Sequence, residues 1–338
     1  MAIWFTVFFL APFVIIVIYS FLKKGLYGGV SPVFSLAAYR SLTNPNFVVI
    51  AVRTLLTSAA ATFITILIAL PCGYFMARSK NQTFLLLLII IPFWTNFLIR
   101  VFAWMNILGS NGFLVEFLTR TGFLDRYVHF AEFTSGIRSH IEQAIKALIP
   151  SQKAVDFLTT VGIFRSQVND PTMFLYNQRA VTLVLVYMYL PYAILPLFST
   201  IDKFDFSLLE AARDLGATKM GSIRKVLLPN IKSGIYTAVL FTFIPIFGAY
   251  AVPLLVGGKD SYMLGNVIAD QLTKARNLPL SSSISLVLTA ITTVGVMIMM
   301  NLQRREAKRT TDVSGISETA IPEAAGEPDF SGGNAGEL

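Results

Sequence analysis

The sequence predicts an all-α, polytopic membrane protein with about six transmembrane helices and a charged helical loop between the fourth and fifth. Three observations carry that class. Hydrophobic residues make up 54% of the 338 and charged residues only 14%, where a soluble domain carries about 25% charged. Mean hydropathy is +0.65. Apolar stretches of about twenty residues recur along the chain, each long enough to cross a hydrocarbon core of roughly 30 Å.

The spans fall at about 3–22, 50–77, 84–108, 180–200, 233–256 and 281–302. The first has no basic stretch before it and no small-residue cleavage site after it, so it reads as a retained span and not a signal peptide. The formal net charge of +8 comes from basic residues between the spans, where they set topology, and it implies no nucleic-acid partner. The single cysteine, Cys72, lies within a span and reads as a small packing residue. His129 and His140 have no accompanying ligand spacing, so no metal site is expected.

Lysines and arginines in the short connections orient the chain. With both termini cytoplasmic, the inner segments hold twelve and the short outer loops six. Lys23 and Lys24, just after an uncharged first span, argue the other way. The later helices outweigh them.

The segment 109–179 is the largest outer region. Ile137, Ile141, Ile145 and Leu148 recur at helical spacing, and Ser139-x-x-Glu142 has the form of a capping box. An amphipathic helix is therefore expected there, covering the bundle or lying at the interface. From 303 onward the chain reads as a cytoplasmic tail. Beyond about 310 it is rich in Gly, Ser, Ala and acids, which predicts disorder.

The loop SLLEAARDLGATKMGSIRKVLLPN, Ser207 to Asn230, interrupts this apolar chain. Ser207-x-x-Glu210 has the pattern of a capping box. Gly216 follows a run of helix formers at the position of a left-handed cap. Thr218 can cap a second short helix, and Pro229 can open the next span at a position where a missing N–H matters little. Ala211 and Ala212 leave one face shallow. The pattern alone supports two readings: a helical loop lying on the headgroups, or a docking helix for another protein.

Glu210-Ala211-Ala212, Gly216 and the closing Val226-Leu227-Leu228-Pro229 resemble the EAA loop of ABC importer permeases, with valine where the family pattern has isoleucine. ALPCGYFMAR (69–78), IPFWTNFLIRVFAWMNILGSNG (91–112), YLPYAILPLFSTID (189–202) and VPLLVGG (252–258) resemble the spermidine/putrescine-type branch of the binding-protein-dependent importers. The likeness extends over nearly the whole chain except the tail and an apparent insertion within about 123–165. It implies an inner-membrane permease body over 1–302 with a coupling loop at 201–232. The implied partners are an ABC ATPase dimer, a second homologous permease subunit, a periplasmic substrate-binding protein and membrane lipid. It also assigns ATPase coupling to Glu210, Ala211, Ala212, Gly216, Val226, Leu228 and Pro229. The chain contains no G-x-x-x-x-G-K-[ST] phosphate loop. It is therefore expected to be a non-enzymatic transport subunit with no cofactor of its own, ATP being bound by the partner subunits.

Polar side chains at membrane depth mark candidate pathway residues. Asn96, Arg100 and Trp104 recur every four residues, so a continuous helix would place them on one face. The same spacing suits a snorkelling arginine and an interfacial tryptophan. Arg53 reads as an interfacial anchor at the start of the second span. In the fifth span Pro245, Gly248 and Pro253 suggest backbone that lines a cavity. The family often has an acid after this glycine, whereas here Gly248 is followed by Ala249 and Tyr250. Only Tyr250 is left to receive a cation. The best-guess cargo is a polyamine; an opine, phosphonate or metal chelate is the alternative. A self-sufficient secondary transporter or channel is the competing class, for which the EAA-like loop would be accidental. A membrane-embedded enzyme is disfavoured, because no nucleophile–base pair or carboxylate pair appears within the spans.

Overall fold

The computed structural model describes Trp4 and residues 6–122, 174–258 and 261–319. The expected amphipathic helix around Ile141 and the final stretch 320–338 lie outside these residues. Within the described chain, residues up to Thr292 form one compact unit and those from Thr293 another.

A π-helical turn (Thr6–Leu10) leads into α1 (Ala11–Ser20). A two-stranded antiparallel hairpin, β1 (Leu22–Lys24) and β2 (Val30–Phe34), follows it. After the short α2 (Ala37–Leu42), the long α3 (Pro45–Arg78) is capped by Asn44, whose side chain accepts the N–H of Asn46 at 3.0 Å. Then come α4 (Gln82–Ile90), a 3₁₀ turn (Ile91–Trp94), α5 (Phe97–Leu108) and α6 (Phe113–Arg120). The second half holds α7 (Gln178–Asp202), α8 (Ser207–Asp214), α9 (Lys219–Asn230), α10 (Lys232–Phe247), α11 (Ala251–Val256), α12 (Leu264–Thr273) and α13 (Leu278–Thr319).

The architecture is all-α apart from the hairpin, as expected, but the spans are less uniform than their hydropathy suggests. Four stretches are long and apolar enough to cross a membrane: α3, α5 with α6, α7, and α13 up to Asn301. A fifth is the α9–α10 pair, bent by 72°. Thr6–Ser20 and Gln82–Trp94 are apolar but shorter. The expected third span, 84–108, is broken at residues 91–96. Pro92 cannot donate a helical hydrogen bond, and Asn96 is extended and caps α5 by accepting the N–H of Leu98 at 2.8 Å. The expected fifth span breaks after Phe247, because Pro253 has no N–H for the carbonyl of Ala249. Helix α13 runs on to Thr319, past residue 310, beyond which the composition had suggested disorder. Arg53 lies two turns inside α3 and not at its start.

The bundle is held by α3, α7 and α10. The buried face of α3 carries Thr54, Ser58, Ala61, Thr62, Thr65, Ala69, Gly73 and Ala77. Small residues at such spacing let helix backbones approach closely, the main route to helix association where lipid removes the hydrophobic drive. Thr54, Ser58 and Thr65 bond within their own helix, as Thr65 does to the carbonyl of Ala61 at 2.7 Å, whereas the buried Thr62 hydroxyl has no partner among the described residues. Across the α7–α10 contact, a Cβ on Gly234 would meet the side chain of Thr200 far inside van der Waals distance. Glycine is there because nothing larger fits.

Candidate functional site

At the Arg78 end of α3 lies the polar loop. Asp205, and not Ser207, starts its first helix. The Asp205 carboxylate accepts the backbone N–H of Ser207 at 3.0 Å, and Ser207 itself is the first helical residue of α8. The expected Ser207–Glu210 capping box is therefore replaced by an Asp205 turn. The Ser207 N–H, and after it the Ser207 hydroxyl, hold the Asp205 carboxyl below the usual carboxylate range. Glu210 is left exposed and makes no ion pair among the described residues.

Helix α8 ends as the sequence suggested. Gly216 has φ +87, the Ala217 N–H bonds the carbonyl of Ala212 at 3.0 Å, and the Gly216 N–H bonds that of Arg213 at 2.8 Å. Those two bonds define a Schellman cap. Thr218 then caps α9 by accepting the N–H of Gly221 at 3.1 Å. Pro229 sits in the last turn of α9 and not at the opening of α10, and Ile231 makes the turn into the next span.

The loop is seated on the bundle by its inner face. Leu209, Leu227 and Ile231 are buried with Met76, Ala77, Leu197 and Ile201. Phe206 meets Tyr74 edge-on at 6.0 Å, and the Arg78 guanidinium stands 5.5 Å from the Phe206 ring centroid. Gln82 ties the next connection in by donating to Asp202 at 3.0 Å. The outer face presents Glu210, Ala211 and Gly216 among exposed Leu208, Leu215 and Met220. Ala212, Val226 and Leu228 are half-buried.

The pathway candidates fare unevenly. The Asn96 carboxamide is committed to capping α5, so the expected stripe reduces to Arg100 and Trp104. Arg100 lies over Phe93, 4.8 Å from guanidinium carbon to ring centroid, and its Nε is buried without a partner among the described residues. Trp104 packs edge-on against Tyr187 at 5.2 Å. Gly248 and Tyr250 meet at the break after α10, both exposed.

Sequence reasoning missed the groups that hold this break. Asn266, at the start of α12, is 1% exposed. It donates to the Tyr250 carbonyl at 3.0 Å and accepts the N–H of Met263 at 3.2 Å. A Cβ on Gly265 would stand 2.5 Å from the carbonyl oxygen of Ala249, so α12 abuts the broken turn directly. The Leu264 N–H bonds Thr54 Oγ1 of α3 at 2.9 Å. A buried asparagine after a glycine, next to a span with two prolines, was the available signal.

Residues 1–312 match the family model described as "Binding-protein-dependent transport system inner membrane component". The chain is 29% identical over 313 residues to the spermidine/putrescine transport system permease protein PotB of Salmonella typhimurium, covering 92% of this chain and 94% of the relative. It is 31% identical over 290 residues to the protein of the same name from Haemophilus influenzae, covering 85% and 86%. In fold it is similar to a chain of the crystal structure of a bacterial alginate ABC transporter in complex with an alginate pentasaccharide-bound periplasmic protein. The TM-score there is 0.61 at 13% identity, covering 90% of this chain and 91% of the other.

Proposed function

The chain belongs to the family of binding-protein-dependent transport system inner membrane components, and from that premise we propose how it works and what it carries. It is the membrane-spanning permease component of an ABC importer. Its cargo is a polyamine. The relatives named as spermidine/putrescine permeases align over nearly their whole length, which supports that choice.

The exposed face of α8 carries the mechanism: a rigid, doubly capped helix with Glu210 and Ala211 outward and Leu209 anchored inward. An ABC ATPase dimer, binding the ATP that this chain does not, grips α8 of this subunit and the equivalent loop of a second homologous permease. Because Leu209 and Phe206 fix α8 to α3 and α7, displacement of the docked helix moves the bundle as a lever. A periplasmic binding protein delivers the cargo at the opposite end of α3. Residues 1–302 form the permease body with both termini cytoplasmic, 123–165 is an insertion on the periplasmic side, and 303–338 is a cytoplasmic tail. Arg100, Trp104, Gly248 and Tyr250 line the path; Asn96 supports it through its cap.

Arg100 favours a second reading. A guanidinium with an unpartnered Nε suits a cargo bearing a carboxylate or phosphonate, such as an opine, better than a polycation. Binding measurements on the partner periplasmic protein with spermidine, putrescine, an opine and a phosphonate separate the two. To test the machinery, Glu210→Lys is assembled with its ATPase. Normal membrane abundance with lost ATPase association and lost uptake is the expected result; full association and uptake would remove α8 from the coupling role.

A further inference from the structure

The caps and the packing of α8 leave one of its charged residues, Arg213, without a role. Successive helical residues turn by about 100°. Arg213, four residues after Leu209 and three after Glu210, therefore lies on the border between the buried and exposed faces of the helix. The residue is half-buried. Its Nε and Nη2 are both buried, and neither has a hydrogen-bond partner among the described residues. The main chain is fixed at this point, because the Arg213 carbonyl accepts the Gly216 N–H of the Schellman cap at 2.8 Å.

The two unpartnered atoms belong together. Nε–H and Nη2–H point the same way from one edge of the guanidinium, the edge that takes both oxygens of a carboxylate. A guanidinium stays charged throughout the ordinary pH range, so Arg213 cannot relieve its burial by losing a proton. Holding such a group away from water without an acceptor is unfavourable. An acid brought against the exposed face of α8 supplies that acceptor, and rotation about the side-chain torsions carries the guanidinium to it. That face is opposite Leu209, which packs on the bundle, so a docking protein reaches it more directly than a lipid headgroup does.

We propose that Arg213 turns outward when the ATPase docks and takes a carboxylate of that partner on its Nε–Nη2 edge. This rests on the importer reading above, in which the ATPase grips α8. The unfavourable burial in the undocked subunit is relieved on docking, which adds to the affinity of the contact.

The test measures ATPase binding by the assembled permease complex in phosphatidylcholine nanodiscs. Arg213→Met keeps a long side chain and removes the charge. It should weaken ATPase binding by about tenfold, the scale of one lost charge-assisted pair. In membranes from cells lacking the ATPase, the same full-length variant should melt at the wild-type temperature or higher, because an apolar side chain has replaced an unpartnered buried charge. Arg213→Lys lacks the paired donors and should recover only part of the affinity. The proposal is overturned if Arg213→Met binds the ATPase as wild type, if its melting temperature falls along with binding, or if Arg213→Lys binds fully. A loss of binding seen only in phosphatidylglycerol nanodiscs would assign the edge to a lipid phosphate and equally overturn it. Full ATPase binding by Glu210→Lys would instead refute the docking reading itself.

Discussion

The Asn266 carboxamide donates to the main-chain carbonyl of Tyr250 at 3.0 Å across sixteen residues, and through that bond α12 closes the gap that Pro253 opens in the fifth span. Asn266→Ala removes that donor, although the Tyr250 carbonyl keeps the Leu254 N–H at 3.1 Å, and it strips the buried Met263 N–H of its acceptor, a loss of about 1–3 kcal/mol. Thermal unfolding of the purified complex should shift down accordingly, with uptake reduced. An unchanged melting temperature would mean that water or a neighbouring group satisfies the Met263 N–H just as well.

Gly216 has φ +87, and its amide closes the Schellman cap of α8. Open space surrounds its Cα, so a side chain there is strained by backbone conformation alone. Gly216→Val forces a β-branched residue into the left-handed region, at a cost of about 1–2 kcal/mol. The strain is confined to the loop. Membrane abundance should therefore hold while ATPase association and uptake fall, measured by affinity capture of the ATPase from membranes. A matching fall in abundance would place Gly216 in folding and not in docking.

Much of the loop was legible because its signals are local. A glycine after a helix and a threonine three residues before a glycine N–H each specify one hydrogen bond. Ser207-x-x-Glu210 misled because Asp205, two residues earlier, competes for the same N–H and holds it. Hydropathy also averages across breaks, so Pro92 and Asn96 vanished inside an apolar window. The α12 groups were illegible for another reason. Leu264 and Thr54 are 210 residues apart, and no periodicity within either segment announces their contact. Beyond about 310 the Gly, Ser, Ala and acid content suggested disorder, whereas the helix-favouring Gln-Arg-Arg-Glu-Ala-Lys run just before it carries α13 on to Thr319.

Gly234 faces Thr200 where α10 crosses α7. Gly234→Ala must push these helices apart or rotate Thr200 away from the Pro196 carbonyl, to which its hydroxyl donates at 2.9 Å. Overpacking of this kind costs about 1–3 kcal/mol. Detergent-solubilised complex should lose stability, read as a lower melting temperature and less monodisperse material in size-exclusion chromatography. Wild-type behaviour would mean that the helices separate without loss.

Leu26, at the tip of the hairpin, is fully exposed, and Leu215, in the polar loop after α8, is 89% exposed. The two lie at opposite ends of α3 by chain path. In a Cys72→Ser background, Leu26→Cys should react with a membrane-impermeant maleimide in intact cells, and Leu215→Cys only after lysis. The reverse pattern would invert the topology, and labelling of both in intact cells would refute opposite sides altogether.

Arg100 is the last candidate to weigh, because its surroundings are half structural. The guanidinium stacks 4.8 Å from the Phe93 ring centroid, and such a contact contributes on the order of 1 kcal/mol. A charge at membrane depth costs roughly 3 kcal/mol on insertion scales. The ring therefore offsets only part of that cost, and water, cargo or a partner helix must supply the rest. Arg100→Ala should lower uptake while abundance and ATPase association stay near wild type. Arg100→Lys keeps the charge but loses the planar stack on Phe93, so it should recover only part of the activity. Normal uptake by Arg100→Ala would make the residue an interfacial anchor. Loss of assembly would assign it to the permease–permease contact, since a guanidinium that supports transport through the path has no reason to hold the subunits together.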